Sequence, residues 1–383
     1  MVAACPFPLG RGTPIRIQRQ AEALAARGHE VHVVTYSLGT AELVAGVTVH
    51  RAPRLPGYLT TSPGPTLPKL LALDPMLVGT LFRLLRTQSI DIIHAHHYEG
   101  LLVARAAKAF TRIPMVYDAH TLLGSELGFF RLGLPRRLAV ALVEHLDRRL
   151  PRLADHVISV TTTIRDHLVT GGVLADAQVS VVCNGVELER FRADTQTPWA
   201  ADAPKRVVFT GNLAPYQGID VLLEAFAVAI ARRRDVRLVI VTDSDFSAYE
   251  PTAHRLGVRD FIEIVAAPSF ADLPALLETA HVAANPRVAA DGMPVKLLNY
   301  MAAGRPIVSF KGSAPGLTHE DTAWLVAGSD PREFGRGILA LLENSARAQA
   351  LGRRARAFVE RHYRWLVVAE QIEQVYRRML ERR

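Results

Sequence analysis

The chain has 383 residues, 49% hydrophobic and 21% charged, which excludes a disordered chain and is too long for one ordinary core. Its two cysteines, Cys5 and Cys183, both lie in apolar contexts; this excludes a disulfide scaffold and fits a reducing cytoplasm. A net charge of +8 suits an anionic partner, but no nucleic-acid recognition motif or aromatic platform accompanies it, and no apolar run approaches the ~20 residues of a membrane span.

Apolar strand-like runs alternate with helical patterns from end to end, which predicts parallel α/β sheets. In the first half, strands are expected at residues 2–5, 30–35, 90–95, 115–118 and 156–160. A further strand is expected at 48–54, a closing one at 179–183, and a helix at 15–27. The first strand falls almost at Met1, so a few preceding residues are expected; a longer upstream reading frame tests this. No signal-peptide pattern is seen ahead of it, and the expected location is cytoplasmic. Segments 67–86 and 131–152 mix Leu and Val with basic residues. Such amphipathic helices either lie peripherally on an anionic inner-membrane surface or pack on the domain core. Between 187 and 205 the periodicity lapses, and a linker is expected at 191–205. The second half restarts with strands at 206–210, 236–241, 262–265, 281–284 and 307–309, with helices at 221–232, 273–279 and 295–303. Domains are therefore expected at 1–190 and 206–362, followed by a helical segment at 363–383.

The most informative stretch is Asp291-Gly292-Met293-Pro294-Val295-Lys296-Leu297-Leu298-Asn299, continuing to Gly304-Arg305-Pro306. A turn opens a helix near Val295, and Gly304 with Pro306 ends it. A helix N-terminus presents free N–H groups and partial positive charge, so it suits a phosphate or a polar sugar. Lys296 sits in the first turn, where a cation is unfavourable for the helix; that placement makes sense facing an anionic ligand. His120 follows the strand at 115–118 and is the candidate catalytic residue of the first half. His94, His96 and His97 cluster in sequence, but no Cys or carboxylate evidently completes a ligand set, so no metal is expected there. Nor is a metal expected at Asp243-Ser244-Asp245.

Six segments carry a resemblance that spans nearly the whole chain. They are Gly10-Arg11-Gly12-Thr13 with Gly28-His29-Glu30-Val31; Asp91-Ile92-Ile93-His94-Ala95-His96; Tyr117-Asp118-Ala119-His120; Asn184-Gly185-Val186-Glu187; and the stretch from Asp291 through Val308. Together they resemble the retaining glycosyltransferases of family 4. The resemblance implies the GT-B fold: two Rossmann-like doubly wound domains facing a central cleft, with a C-terminal helix crossing back to the first domain. It also implies hexosyl transfer from a nucleotide-sugar donor to a glycan, lipid-linked or small-molecule acceptor, with no metal or other cofactor. Residues 363–383 would then be the crossing helix, with Tyr363 or Trp365 marking the crossing.

By the same resemblance, His120 and Asp291 are the catalytic candidates. The donor site comprises Gly211, Asn212, Gln217, Arg287, Gly292, Met293, Pro294, Val295, Lys296, Leu297 and Asn299. Gly10, Arg11, Gly12, Thr13 and Glu126 lie on the acceptor side, and Arg11 or Arg16 can meet an anionic acceptor. The chain departs from the family pattern in four places. Asp291 stands for a Glu that contacts donor hydroxyls, and Asn299 for a Glu that holds the ribose. Asn212 and Gln217 stand where an Arg and a Lys clasp the diphosphate. Two lost charge-assisted contacts would cost ~3–6 kcal/mol, or ~10²–10⁴ in rate, if nothing replaced them. Arg287 and Lys296 are the expected replacements. The competing readings are a catalytically weakened nucleotide-sugar-binding or scaffold subunit, which those changes suggest, and a GT-B epimerase. Base, sugar, linkage and oligomeric state are not legible.

Overall fold

The computed structural model describes residues 1–9, 12–40, 43–59, 66–109, 111–126, 135–192, 204–266, 272–290 and 292–381. The chain divides into two compact units: Met1–Asn184 with Trp365–Arg383, and Gly185–Arg364.

The first unit is built on a seven-stranded parallel sheet. Its strands are β1 (Val2–Ala3), β2 (Val31–Thr35), β3 (Val47–Arg51), β4 (Ile93–His96), β5 (Met115–Ala119), β6 (His156–Ser159) and β7 (Val179–Val181). Their order in the sheet is β3-β2-β1-β4-β5-β6-β7. Strands β1, β2, β4, β5 and β6 are buried along their length because both faces are covered, while β3 at the edge is not. One face carries Val2, Val34, Ile93, Ala95, Met115 and Tyr117 against Leu77, Leu81 and Leu84 of α2 (Asp74–Thr87) and Leu101 and Ala104 of α3 (His97–Lys108). The other carries Val33, Val116 and Ile158 against Ile17, Ala21 and Leu24 of α1 (Thr13–Ala26). α4 (Leu123–Glu126), α5 (Arg136–Arg149) and α6 (Thr162–Thr170) complete the crossovers.

The second unit holds a six-stranded parallel sheet: β8 (Lys205–Thr210), β9 (Val236–Thr242), β10 (Ile262–Ala266), β11 (Val282–Asn285), β12 (Ile307–Phe310) and β13 (Trp324–Val326). The order is β10-β9-β8-β11-β12-β13. Val207, Phe209, Leu238 and Ile240 face α7 (Ile219–Arg232) and α11 (Pro331–Glu343). Val208, Val239, Ala283 and Ile307 face α10 (Val295–Ala302) and α12 (Ser345–His362). The short helices α8 (Glu250–Arg255) and α9 (Leu273–Glu278) lie between strands. Strand β13 and helices α3, α4, α6, α8, α11 and α12 carry no counterpart among the expected elements. The expected linker at 191–205 falls largely outside the described residues.

The last helix, α13 (Trp365–Glu381), belongs to the first unit. Val368, Ala369, Ile372 and Val375 pack with Ile17, Ala21 and Leu24 of α1. Its Glu373 accepts from Arg27 Nε at 2.6 Å and Nη2 at 2.8 Å, and lies 3.0 Å from His29 Nε2. Hydrogen bonding from Arg27 outweighs burial and, with His29, brings the Glu373 carboxyl down to about 2. A depressed carboxyl contributes stability that is present above its ordinary value of ~4.3 and lost as pH falls through the folded value. Glu373→Gln should therefore lower the melting temperature near neutrality, and the gap to wild type should narrow on acidification from about pH 5 to about pH 3, on its way to closing below the folded value. Thermal unfolding across that range reads this directly; a gap independent of pH rules the tie out.

Both sheets are doubly wound, and strand order reverses between β1 and β4 in one and between β8 and β11 in the other. Sheets of this kind bind ligands beyond the carboxyl ends of the strands at that reversal. A cavity of about 360 Å³, lined by Met1, Val31, Leu84, Ile92 and Tyr376 among others, opens at the opposite, amino ends of β1, β2 and β4. It is therefore not beyond the carboxyl ends at the reversal, although His29, Glu30, Asp91 and His94 of the quoted motifs line it.

Candidate active site

In the second unit the two strands at the reversal lead into the two loops singled out from sequence. Gly211 to Gly218 follow β8, and Pro286 to Pro294 follow β11. The loops lie tightly together. Gly218 has φ 74°, and a Cβ there would meet the Pro286 carbonyl oxygen at 2.5 Å. Gly312 approaches the Val288 carbonyl just as closely. Beneath the second loop, fully buried Asn285 donates to Ser309 Oγ at 2.9 Å and Ser313 Oγ at 2.8 Å, while Ser313 Oγ donates to the Arg287 carbonyl at 2.5 Å. Tyr300 of α10 accepts from Thr210 N at 2.8 Å, which pins the helix to the end of β8. Small residues and buried hydroxyls thus hold this loop pair in place.

At its centre is Lys296. Its ammonium donates to Gln217 Oε1 at 2.7 Å and lies 3.9 Å from the centroid of the Phe209 ring. A Cβ on Gly211, where φ is 133°, would come within 3.2 Å of Lys296 Nζ. Burial, and after it the charge of Arg287, lowers the Lys296 amine to about 7. Arg287 lies 5.0 Å over the Tyr216 ring and donates Nε to the Ala289 carbonyl at 2.6 Å. Among the described residues no carboxylate pairs with its guanidinium. Asn212 donates to Tyr216 Oη at 3.2 Å and accepts from Gln217 Nε2 at 3.3 Å. Asn212 and Gln217, placed where cations are expected, act as struts that aim Lys296.

Among the described residues no side chain caps the start of helix α10, and its first turn carries no acid. The starts of α1 and α5 likewise lack both, whereas Thr161, Asp330 and Asn344 cap α6, α11 and α12. Val295 is exposed at 49%, and Asn299 is buried at 5%. Two donor-site expectations need correction. Leu297 is fully buried in the core and its N–H donates to the Pro294 carbonyl, so it has nothing to offer a ligand. The Met293 side chain is buried in the same cluster, leaving only its backbone for contact. Gly292, with φ 98°, and Pro294 form the turn into the helix. Asp291 lies outside the described residues. Asp245 accepts from Ser247 N at 3.0 Å, and Ser244 Oγ accepts from Leu213 N at 3.2 Å; this turn braces the first loop.

The first unit's reversal edge holds a buried polar cluster. Arg16 of α1 enters it from beneath and spends its guanidinium there. Nε and Nη2 reach Asp118 at 3.2–3.3 Å, Nη2 reaches the Val182 carbonyl at 2.9 Å, and Nη1 reaches Asn184 Oδ1 at 2.9 Å. Arg16 is 5% exposed, which removes it as an acceptor contact. Asp118 has no exposure and also accepts from Gln20 Nε2 at 3.1 Å. Burial alone would raise its carboxyl, but Arg16 and the surrounding imidazoles outweigh that and hold it well below the usual range.

Around Asp118 stand three imidazoles. His94 and His96 share one face of β4 and stack at 4.3 Å, and His94 Nδ1 lies 2.6 Å from Tyr376 Oη of α13. His96 Nδ1 lies 3.3 Å from His120 Nε2. Asp118 is the carboxylate that the sequence reading did not find for this cluster; with His94 and His96 it brings ligand-type atoms within 4.8 Å of one another. The arrangement nonetheless suits a hydrogen-bond network better than a metal. Arg16 already occupies the carboxylate, and rings only 18° from parallel send their lone pairs side by side instead of converging. The His120 side chain is 6% exposed, with Nε2 turned inward, so Nδ1 is the atom left for a ligand. Gly12, with φ 59°, caps α1, and Thr13 is that helix's first residue. Gly10 and Arg11 lie outside the described residues, as does the side chain of Glu126 at the end of α4. Sequence reasoning gave Arg16 a different role, quoted Asp118 in a motif without a role, and missed Tyr216 and Tyr376; for the two charged residues the available signal was a charge within an apolar strand or helix face, which requires a buried partner.

The comparisons agree along the whole chain. The family model described as Glycosyltransferase Family 4 matches residues 10–190, and that described as Glycosyl transferases group 1 matches residues 204–344. D-inositol 3-phosphate glycosyltransferase 2 of Catenulispora acidiphila is 27% identical over 97% of this chain and 90% of its own length. A relative from Segniliparus rotundus, D-inositol 3-phosphate glycosyltransferase, is 27% identical over 96% of this chain and 85% of its own. Among solved structures, sucrose-phosphate synthase from Thermosynechococcus elongatus superposes with a TM-score of 0.74 at 21% identity, covering 100% of this chain and 96% of that one. Anabaena HepE in complex with UDP and glucose gives 0.71 at 18%, covering 98% and 97%. These structures share the fold.

Proposed function

The chain belongs to glycosyltransferase family 4 and has the GT-B fold, and on that premise we propose a retaining hexosyltransferase that uses a nucleoside-diphosphate sugar. The acceptor is a hydroxyl of a glycan, a lipid-linked sugar or a small polyol. The observation that carries the reading is the Lys296–Gln217–Arg287 cluster beside the uncapped start of α10. As the bond from the anomeric carbon to the phosphate oxygen breaks, negative charge grows on the departing diphosphate; the two cations and the helix N–H groups stabilise it. The acceptor oxygen bonds to the same face of the anomeric carbon, and its proton passes to the leaving phosphate. Asn299 offers an amide to the ribose, and Asp291 a carboxylate to the sugar hydroxyls. The relatives named for inositol 3-phosphate support a polyol phosphate among the acceptors, and the HepE complex supports a uridine donor. No described helix is long and apolar enough to cross a membrane. Leu138 and Leu142, exposed on α5 among Arg136, Arg137, Arg148 and Arg149, support peripheral contact with an anionic surface.

A panel of nucleoside diphosphates and their sugars tests this. A donor at 100 times its dissociation constant should stabilise the chain by ~2.7 kcal/mol. The donor found this way should then transfer labelled sugar to a polyol or glycan with its anomeric configuration kept. Stabilisation without transfer would favour the binding subunit, an epimerised free sugar nucleotide would favour the epimerase, and an inverted product would refute retention.

A further inference from the structure

We propose that His96 is a positioning residue that fixes His120 as the neutral tautomer carrying its proton on Nδ1, so that His120 donates a hydrogen bond to substrate instead of accepting one. The proposal builds on the reading of His120 as a substrate contact.

His96 Nδ1 and His120 Nε2 face each other at 3.3 Å, so with both rings neutral one proton lies between them. Burial, and then the neighbouring His94, holds His96 down at about 3, and burial keeps His120 well below its ordinary value despite Asp118. Both rings are therefore neutral near pH 7. The proton between them belongs to one ring or the other, and two features decide which.

The first is the far side of each ring. Among the described residues, buried His96 Nε2 has no hydrogen-bond partner. If His96 carried its proton there, an N–H would be orphaned in the interior, and an orphaned donor is rarer and costlier than an unused lone pair. His120 Nδ1 is not among the buried, unpartnered atoms, so a proton there can be satisfied by solvent or ligand. The second is the field of Asp118. Its Oδ2 lies 3.6 Å from His96 Nδ1 and 3.8 Å from His120 Nε2, too far to bond either in place of Arg16 and Gln20, but close enough to favour an N–H over a lone pair at the nearer nitrogen. Both features place the proton on His96 Nδ1. His120 Nε2 accepts it, and His120 must then carry its own proton on Nδ1. At His94 the two features oppose each other: Nε2 points toward Asp118 at 3.6 Å but has no hydrogen-bond partner among the described residues, while Nδ1 lies 2.6 Å from Tyr376 Oη.

Ring ¹⁵N spectra of the full-length chain, labelled on histidine, read the tautomer directly, with His120 assigned by the signal lost in His120→Gln. The expected wild-type pattern is a protonated Nδ1 and a bare Nε2 on His120. In His96→Leu the donor is gone, and His120 should shift its proton to Nε2, toward Asp118. In His96→Asn the side-chain amide can donate in its place, and the Nδ1–H pattern should return. In transfer assays His96→Leu should lower kcat about fivefold to tenfold, the weight of one neutral hydrogen bond, while donor KM holds, and His96→Asn should recover most of it. An Nε2–H tautomer in the wild type, or a tautomer unmoved by His96→Leu, overturns the proposal. Should His96→Leu fail to fold, the wild-type spectrum alone decides. The spectra need no turnover, so a failure here is separable from a failure of the transferase reading.

Discussion

Arg16→Ala should destabilise the first unit by about 3–5 kcal/mol, because it strands a buried carboxylate. Asp118 has no exposure, and Arg16 supplies three of the hydrogen bonds that reach it. Gln20 remains, with one neutral hydrogen bond at 3.1 Å. Arg16 also holds the Val182 and Cys183 carbonyls and Asn184 Oδ1, which fixes the chain just past β7. The loss has a pH signature. In the wild type Asp118 is held well below the carboxylate range, so its contribution is present above that range and lost as pH falls. In the variant the stranded carboxyl is protonated more easily, and the gap between the two proteins should shrink on acidification. Hydrogen exchange at the amides of β5 and β6, compared at about pH 7 and about pH 5, reports the first unit alone and avoids treating two units as one transition. Adding Asp118→Leu to an Arg16→Met background should restore much of the stability, since replacing both partners leaves no unpaired charge. A cost below ~1 kcal/mol for Arg16→Ala would mean the pair contributes no more than a surface bridge.

This pair also shows where sequence reading stops. The parallel strands were legible because a strand covered on both faces carries a continuous apolar run, as 238–241 and 115–117 do. Helix α10 was legible from its punctuation, with Pro294 before it and Gly304 and Pro306 after it. Strand β13 was not, since Trp324-Leu325-Val326 is too short to show a period. Arg16 and Asp118 lie 102 positions apart, and only the topology that sets α1 beneath β5 brings them together. The donor loops were found through the family resemblance, yet their chemistry was only half visible. Asn212 and Gln217 read as lost charges, whereas in the fold they brace the cation that stands beside them. Leu297 was misread because adjacency to Lys296 on a helix says nothing about face; a step of one residue turns a side chain from the loop to the core.

Lys296→Ala should abolish a pH dependence of donor affinity that the wild type shows, along with most of the activity. The free enzyme's Lys296 amine is lowered to about 7, first by burial and then by Arg287. A diphosphate set against it would supply the missing counter-charge and raise that value, so binding takes up a proton near neutrality. By linkage, affinity for a nucleotide sugar should be highest below pH ~7 and weaken by up to about tenfold per pH unit above it. A nucleotide sugar is the right probe, because its diphosphate is esterified at both ends and does not itself titrate in this range. Lys296→Ala removes the titrating group, so the profile should flatten. It also removes a charge-assisted contact of ~1.5–3 kcal/mol, about ten- to hundredfold in affinity. Arg287→Ala should cost more than a hundredfold in kcat/KM. Its guanidinium is braced by Tyr216 and the Ala289 carbonyl, with no carboxylate partner among the described residues, and its charge is the nearest help Lys296 has. The same variant lifts the like charge from Lys296, so its amine should titrate higher and the affinity profile should move to higher pH. Calorimetric titration of the three proteins in buffers of different ionisation enthalpy counts the proton taken up. A wild type that binds donor with no proton uptake near pH 7, or an Arg287→Ala that transfers sugar at the wild-type rate, would leave the diphosphate without the two cations assigned to it.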